Sequence, residues 1–209
     1  MRLLIATANR NKVREFREIL GNDRYAWIDL ADGGEIAPVE ETGKTFRENA
    51  CLKARYYAKK LGAWALADDS GLAVDALGGN PGVLSARWAQ IHASGAGDAA
   101  NNATLLRQLD RVPDDQRAAR FVCSLALADP EGRIAITTQD SVQGMILRQS
   151  RGSNGFGYDP LFLIEKLART TAELAPEQKH AISHRGKALR RLRGLMDEHL
   201  PAHLPTLPD

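Results

Sequence analysis

Two adjacent carboxylates, Asp68 and Asp69, follow the apolar run Trp64-Ala65-Leu66-Ala67 and precede Ser70-Gly71. The run reads as a buried strand ending in a glycine turn. Two carboxylates at its end repel each other and resist burial unless a cation or proton lies between them. The carboxyl end of a strand is also where α/β proteins bind ligands. The pair therefore reads as a divalent-metal or acid/base site. The alternative is that one Asp caps a turn and the other is solvated.

Four further segments carry suitable residue types. Thr7-Ala8-Asn9-Arg10-Asn11-Lys12 follows the first apolar run. A strand-to-helix turn aims backbone N–H groups and the helix dipole outward, which favours phosphate; an N-cap with a surface lysine fits the same residues. Lys53 lies on the apolar stripe of a predicted helix, where a lysine needs a partner, an anion or a snorkelling route. Glu40-Glu41 precede that helix, and Glu41 would share a metal with Asp69 through hard oxygen ligands, which suits Mg²⁺. Gly43-Lys44-Thr45 imitates the end of a phosphate-binding loop, but Pro38 stands where that motif needs its first glycine. Gly155-Phe156-Gly157-Tyr158-Asp159-Pro160 offers an aromatic between glycines, fit to stack on a flat ligand or to plug the loop. Ser183-His184-Arg185, with Lys179 before it, puts cations at a helix start where the dipole disfavours them, which calls for an anion or carbonyl-rich group nearby.

The elements that must position these residues follow from pattern. Leu3 to Ala6 reads as a strand, and Asn9 as the cap of a helix over residues 10–20. Tyr25 to Leu30 reads as a second strand. A helix opened by Thr42 or Thr45 runs to about Leu61, with Phe46, Ala50, Ala54, Tyr57 and Leu61 as its stripe. Asp98 caps a helix through Leu109. Ala118–Ala128 and Arg133–Thr138 form a hairpin, and Leu161–Ile164 is another strand. Ser183 caps a last helix that buries Leu189, Leu192, Leu195, Met196 and Leu200; the proline-rich tail from Pro201 is loose. Helices and strands alternate early and hairpins dominate later, which predicts an α/β fold with a mixed sheet.

With 209 residues, 44% hydrophobic and 26% charged, the chain suits one globular domain. A formal net charge of +2 does not point to nucleic acid. No apolar run reaches membrane-spanning length, and Met1 to Ala6 is too short for a signal peptide. Cys51 and Cys123 lack metal or redox spacing and read as buried hydrophobes, so the cytoplasm is the expected compartment.

Together the segments resemble the inosine triphosphate pyrophosphatase family from Thr7 to about Leu192. The resemblance rests on the Thr-x-Asn-x-x-Lys turn, Glu41-Thr42-Gly43 with Glu48-Asn49-Ala50 and Lys53-Ala54, and Asp68 to Leu72. It continues through Pro81-Gly82, Ser85-Ala86-Arg87, Asn101-Asn102, Gly155 to Pro160 and Ser183-His184-Arg185. The stretch before Arg151-Gly152 departs from the pattern by lacking a proline.

The resemblance implies an α/β fold with an elongated central mixed sheet, two α/β lobes and a substrate cleft between them. Residues 1–200 would be one two-lobed domain, working as a homodimer. Thr7, Ala8, Asn9, Arg10, Asn11 and Lys12 would cradle a triphosphate, with Lys53 nearby. Glu41 and Asp69 would hold Mg²⁺, Asp69 would take the proton from the attacking water, and Ser70 would contact substrate. Phe156 would stack on the base, with Ser153, Asn154 and Gly155 in the pocket wall and Asp159 beneath. Lys179, His184 and Arg185 would complete the base and phosphate contacts. The implied activity is hydrolysis of ITP, dITP and XTP to the monophosphate and pyrophosphate. Donors such as Arg185 would suit the 6-oxo group of these bases and oppose adenine's amine. A pyrophosphatase for other altered nucleotides and a non-catalytic nucleotide sensor are the competing readings.

Overall fold

The computed structural model describes residues 2–21, 24–33 and 36–200, so the expected loose tail lies outside the described residues. The described elements are β1 (Arg2–Ile5), α1 (Arg10–Leu20), β2 (Ala26–Asp29), α2 (Phe46–Leu61), β3 (Ala65–Val74), α3 (Trp88–Ile91) and α4 (Gly97–Gln108). They continue with β4 (Ala118–Ala128), β5 (Ile134–Ile146), β6 (Phe162–Ile164), β7 (Arg169–Thr170), α5 (Pro176–Ile182) and α6 (His184–His199). The strands form one sheet in the order β2-β1-β3-β4-β5-β6-β7. β1 pairs in parallel with β2 and β3, whereas β5-β6 and β6-β7 are antiparallel. The expected mixed α/β sheet is therefore present.

The described residues divide into two compact units: those up to Asp69 with Cys123–Asp140 and those from Arg185 on, and Ser70–Val122 with Ser141–His184. In the first unit, period-2 alternation sends strand side chains to two separate cores. Leu3, Ile5, Leu66 and Cys123 pack with Phe16 of α1 and Leu189, Leu192 and Met196 of α6. Leu4, Ala6, Ala65 and Ala67 pack with Ala50, Ala54 and Ala58 of α2. In the second unit, Leu72, Val74, Leu105, Phe121, Tyr158 and Phe162 make the core.

Four local expectations are corrected or resolved. Thr45, not Thr42, caps α2, and its hydroxyl and Glu48 form a reciprocal capping box. The acid-bearing strand does not end at Asp69 but runs on to Val74. Gly71 is not a turn residue there: a Cβ on it would lie 2.3 Å from Ser85 Oγ, and that hydroxyl accepts the Leu72 N–H at 2.9 Å. The glycine admits a neighbour rather than a bend. Asp98 is not the cap of α4, which is Ala96; it stands in the first turn and bonds elsewhere. β5 extends past Thr138 to Ile146 because Gln139, Asp140, Ser141 and Gln143 break the apolar run without breaking the strand. The last helix buries Leu189, Leu192, Met196 and Leu200 as expected, whereas Leu195 is only partly buried.

Candidate active site

The two adjacent aspartates make their direct ion pairs with different cations. Alternation along β3 puts Asp68 on the α1/α6 face and Asp69 on the α2 face, and each meets its own positive groups. Asp68 is 1% exposed. It pairs with Lys12 Nζ, accepts from Arg185 Nε at 3.0 Å and receives the Cys123 thiol at 3.1 Å. Arg185 Nη1 also pairs with Glu15 of α1 at 2.5 Å. Burial opposes charge on Asp68, but Arg185 and Lys12 outweigh it and hold the carboxyl well below the usual range. Burial and Asp68 push the Cys123 thiol well up. Arg185 in the first turn of α6, awkward for the dipole, thus has two carboxylates of its own chain.

On the other face, Asp69 Oδ1 accepts from Lys53 Nζ at 2.9 Å and Oδ2 from Asn49 Nδ2 at 3.2 Å. Lys53 Nζ also reaches Glu41 at 2.7 Å. The lysine on the apolar stripe is therefore paired: burial pulls its pKa down, but Asp69 and Glu41 outweigh it and keep it raised. Burial raises Asp69 above the ordinary carboxylate range, against the pull of Lys53 and Lys12. Asn49 is fully buried and also accepts the Gly43 N–H at 2.8 Å. Oxygens of Glu41 and Asp69 converge on the Lys53 ammonium, a pair of hard donors of the type that would suit Mg²⁺.

At the end of β1, Thr7 to Lys12 form the expected turn. Ala8, Asn9 and Arg10 are exposed there, while Thr7, Asn11 and Lys12 are half-buried. Asn9 Oδ1 caps α1 by accepting from the Asn11 and Lys12 N–H groups at 3.0 and 3.2 Å, and Thr7 Oγ1 accepts from Asn9 N–H at 3.2 Å.

The second unit holds the aromatic loop. Asp159, 3% exposed, accepts from Phe156 N–H at 2.9 Å, from Lys179 Nζ at 2.5 Å and from Thr171 Oγ1 at 2.8 Å. Lys179 Nζ stands 5.0 Å from the Phe156 ring centroid, a cation–π contact. Asn154 is tied to Ala172 and Leu174 carbonyls. Ser153, Gly155 and Phe156 line a cavity of about 450 Å³. Ser70 is half-buried on β3, and His184 is buried and stacked on Phe121 at 4.9 Å.

Gly155 sits at φ +77°, and a Cβ on it would meet Asp159 Oδ2 at 2.0 Å. Gly155→Ala adds left-handed strain of roughly 1–2 kcal/mol to that clash. At about 2–4 °C per kcal/mol for a chain this size, Tm is expected to fall by roughly 2–8 °C. A melt within 1 °C of wild type would show that the loop relaxes freely.

The structure thus gathers Lys12, Asp68 and Arg185 in one cluster, Glu41, Lys53 and Asp69 in a second, and Gly155, Phe156, Asp159 and Lys179 in a third. Glu15, Asn49, Cys123 and Thr171 were not singled out as site residues from sequence. Asn49 carried a signal, since it precedes Lys53 by four residues and so shares its helix face.

The Ham1 family model matches residues 3–195. A dITP/XTP pyrophosphatase of Exiguobacterium sibiricum is 50% identical over 192 residues, 92% of this chain and 95% of that protein. The structure of a HAM1 protein from Coxiella burnetii superposes with a TM-score of 0.85 at 40% identity, covering 95% of this chain and 99% of that one. A nucleoside-triphosphatase, dITP/XTP pyrophosphatase, from Mycobacterium abscessus gives a TM-score of 0.72 at 46% identity, covering 92% and 97%. With the family model covering most of the chain and relatives up to 50% identical, the chain belongs to the Ham1 family.

Proposed function

We propose that this protein hydrolyses deaminated purine nucleoside triphosphates, ITP, dITP and XTP, to the monophosphate and pyrophosphate. The observation that carries the reading is Asp69, a buried carboxylate of raised pKa gripped by Lys53 and Asn49, with Glu41 on the same ammonium. A base held this way, near a phosphate-binding turn, suits proton abstraction from water. The relatives named above as dITP/XTP pyrophosphatases support the same substrates.

Asp69 takes a proton from the attacking water as its oxygen bonds phosphorus, and the phosphoanhydride bond to pyrophosphate breaks. Glu41 and Asp69 would hold Mg²⁺, whose charge would offset that of the phosphate chain. Lys53, Lys12 and the turn from Thr7 position that chain, with Ser70 at its side. Phe156 stacks on the base, walled by Ser153, Asn154 and Gly155. Lys179, His184 and Arg185 supply the donors that complete base and phosphate contacts. A donor facing C6 accepts a 6-oxo base and is left opposed by adenine's amine. On the family resemblance we also read the protein as a cytoplasmic homodimer. Among the described residues no helix is long and apolar enough to cross a membrane.

Pyrophosphate release from ITP, XTP, dITP, GTP, ATP and dUTP, measured side by side with Mg²⁺, tests this. The first three are expected to react with kcat/KM at least about 10²-fold above ATP, in line with rejection by an unmatched hydrogen-bond group. Chelation is expected to stop release and added Mg²⁺ to restore it. Equal rates for ATP and ITP would overturn the selectivity, and release without metal would overturn the Mg²⁺ assignment.

A further inference from the structure

Asn101-Asn102 is a motif that the site above leaves unused. The two asparagines do different jobs. Asn101 is buried and pins the preceding segment, accepting from Ala89 N–H at 2.8 Å and donating to the Ala86 carbonyl at 3.2 Å. Asn102 reaches across 55 residues of sequence and donates from Nδ2 to the Gly157 carbonyl at 3.0 Å. Asp98, one turn earlier on α4, accepts the Gly157 N–H at 2.6 Å. Residues four apart share a helix face, so one face of α4 holds both polar groups of one peptide residue.

That residue follows Phe156 directly. Gly155 and Gly157 both have left-handed backbones, at φ +77° and +63°, so the aromatic is carried by a segment with no regular ladder to fix it. The backbone groups of Phe156 and Gly157 are nevertheless held. Phe156 N–H goes to Asp159 Oδ2, the Phe156 carbonyl accepts from Asp159 N–H at 3.3 Å, and Gly157 is gripped by Asp98 and Asn102. Asp98 is exposed and has no part in capping its own helix. Asn102 Oδ1 is buried without a hydrogen-bond partner, so the side chain is held in the fold through its single bond to Gly157.

We propose that Asp98 and Asn102 are positioning residues for base recognition: they clamp Gly157 and thereby set the pose of the Phe156 ring against the nucleobase. The proposal rests on the reading of Phe156 as the base-stacking residue. It deepens that reading by making α4, whose Asp98 and Asn102 line the same cavity as Phe156, responsible for the geometry of the stack.

The test is a set of single and double variants assayed with ITP. Asn102→Ala and Asp98→Ala are expected to raise KM about tenfold, the worth of one lost positioning hydrogen bond, with kcat changed less than about twofold. Asp98→Asn keeps an acceptor oxygen for Gly157 N–H and is expected to stay within about threefold of wild type. Tm is expected to fall by less than about 4 °C in each, so folding is not the cause. Adding Asn102→Ala to Phe156→Ala is expected to leave KM where Phe156→Ala alone puts it. A second tenfold rise in the double variant would mean that Asn102 acts independently of Phe156 and would overturn the proposal. So would single variants with unchanged KM beside a Phe156→Ala that weakens ITP. A Phe156→Ala with unchanged KM would overturn the stacking reading itself. Hydrogen exchange at the Gly157 amide needs no turnover; it is expected to quicken at least about tenfold in Asp98→Ala, and an unchanged rate would overturn the clamp whatever the activity.

Discussion

Asp69→Asn is expected to lower kcat by about 10²–10⁴-fold, the usual worth of a positioned general base. The amide cannot take the water's proton. It also turns an NH₂ group toward either Lys53 Nζ or Asn49 Nδ2, both donors that the carboxylate now satisfies. Binding of a non-hydrolysable nucleotide should survive within several-fold, because Lys53, Lys12 and the Asn9 turn remain. The pH profile follows from the same group. Burial raises Asp69, so the charged base is lost at a higher pH than for an ordinary carboxylate. The wild-type rate should climb with pH through a value above about 3.9 and level off, and the residual rate of the variant should lack that flank. A variant within threefold of wild-type kcat would remove Asp69 from the proton transfer.

Asp68→Asn is expected to damage the fold rather than the chemistry first. Asp68 is the carboxylate shared by Lys12 and Arg185, and removing its charge leaves Arg185 with Glu15 and takes from Lys12 its buried ion-pair partner. Removing one member of a buried ion pair costs roughly 3–5 kcal/mol. At about 2–4 °C per kcal/mol, Tm should drop by roughly 6–20 °C. The sign with pH is fixed by the lowered folded-state pKa. The stability that Asp68 contributes is complete above its unfolded value, about 3.9, and is lost as pH falls through the depressed folded value. Wild type should therefore lose stability more steeply in acid than Asp68→Asn. A drop below about 2 °C at neutral pH would show that the network is dispensable.

Much of the first unit was legible in the chain because its signals are local. Asn9 and Thr45 announce helix starts, and the stripe of α2 foretells both its buried alanines and the pairing of Lys53. The division of labour between Asp68 and Asp69 was not legible as a site, although strand alternation contains it. The expectation of a strand ending in a turn hid it, and Gly71 looked like the turn because sequence does not show Ser85 pressing against it. Glu15 and Cys123 were hidden for a related reason. Each gains its role from a residue far along the chain, Arg185 or Asp68, and no short-range spacing reports such a meeting. The aromatic loop was readable as a loop from its glycines, but its grip by Asp98 and Asn102 depends on contacts 59 and 55 residues away.

The alternation of β3 has one more consequence. Asp68 and Asp69 are identical in type and neighbours in sequence, yet one is driven strongly acidic and the other weakly so. Their identities are set by parity, odd or even position along the strand, and by nothing in the residues themselves. A single-residue deletion between Ala65 and Ala67 would exchange the two environments without changing either side chain, handing the place beside Lys53 and Asn49 to the residue that now locks α1 to α6. A two-residue change would preserve the assignment of faces. The length of this short run therefore specifies which aspartate meets which partners as much as the aspartates themselves do.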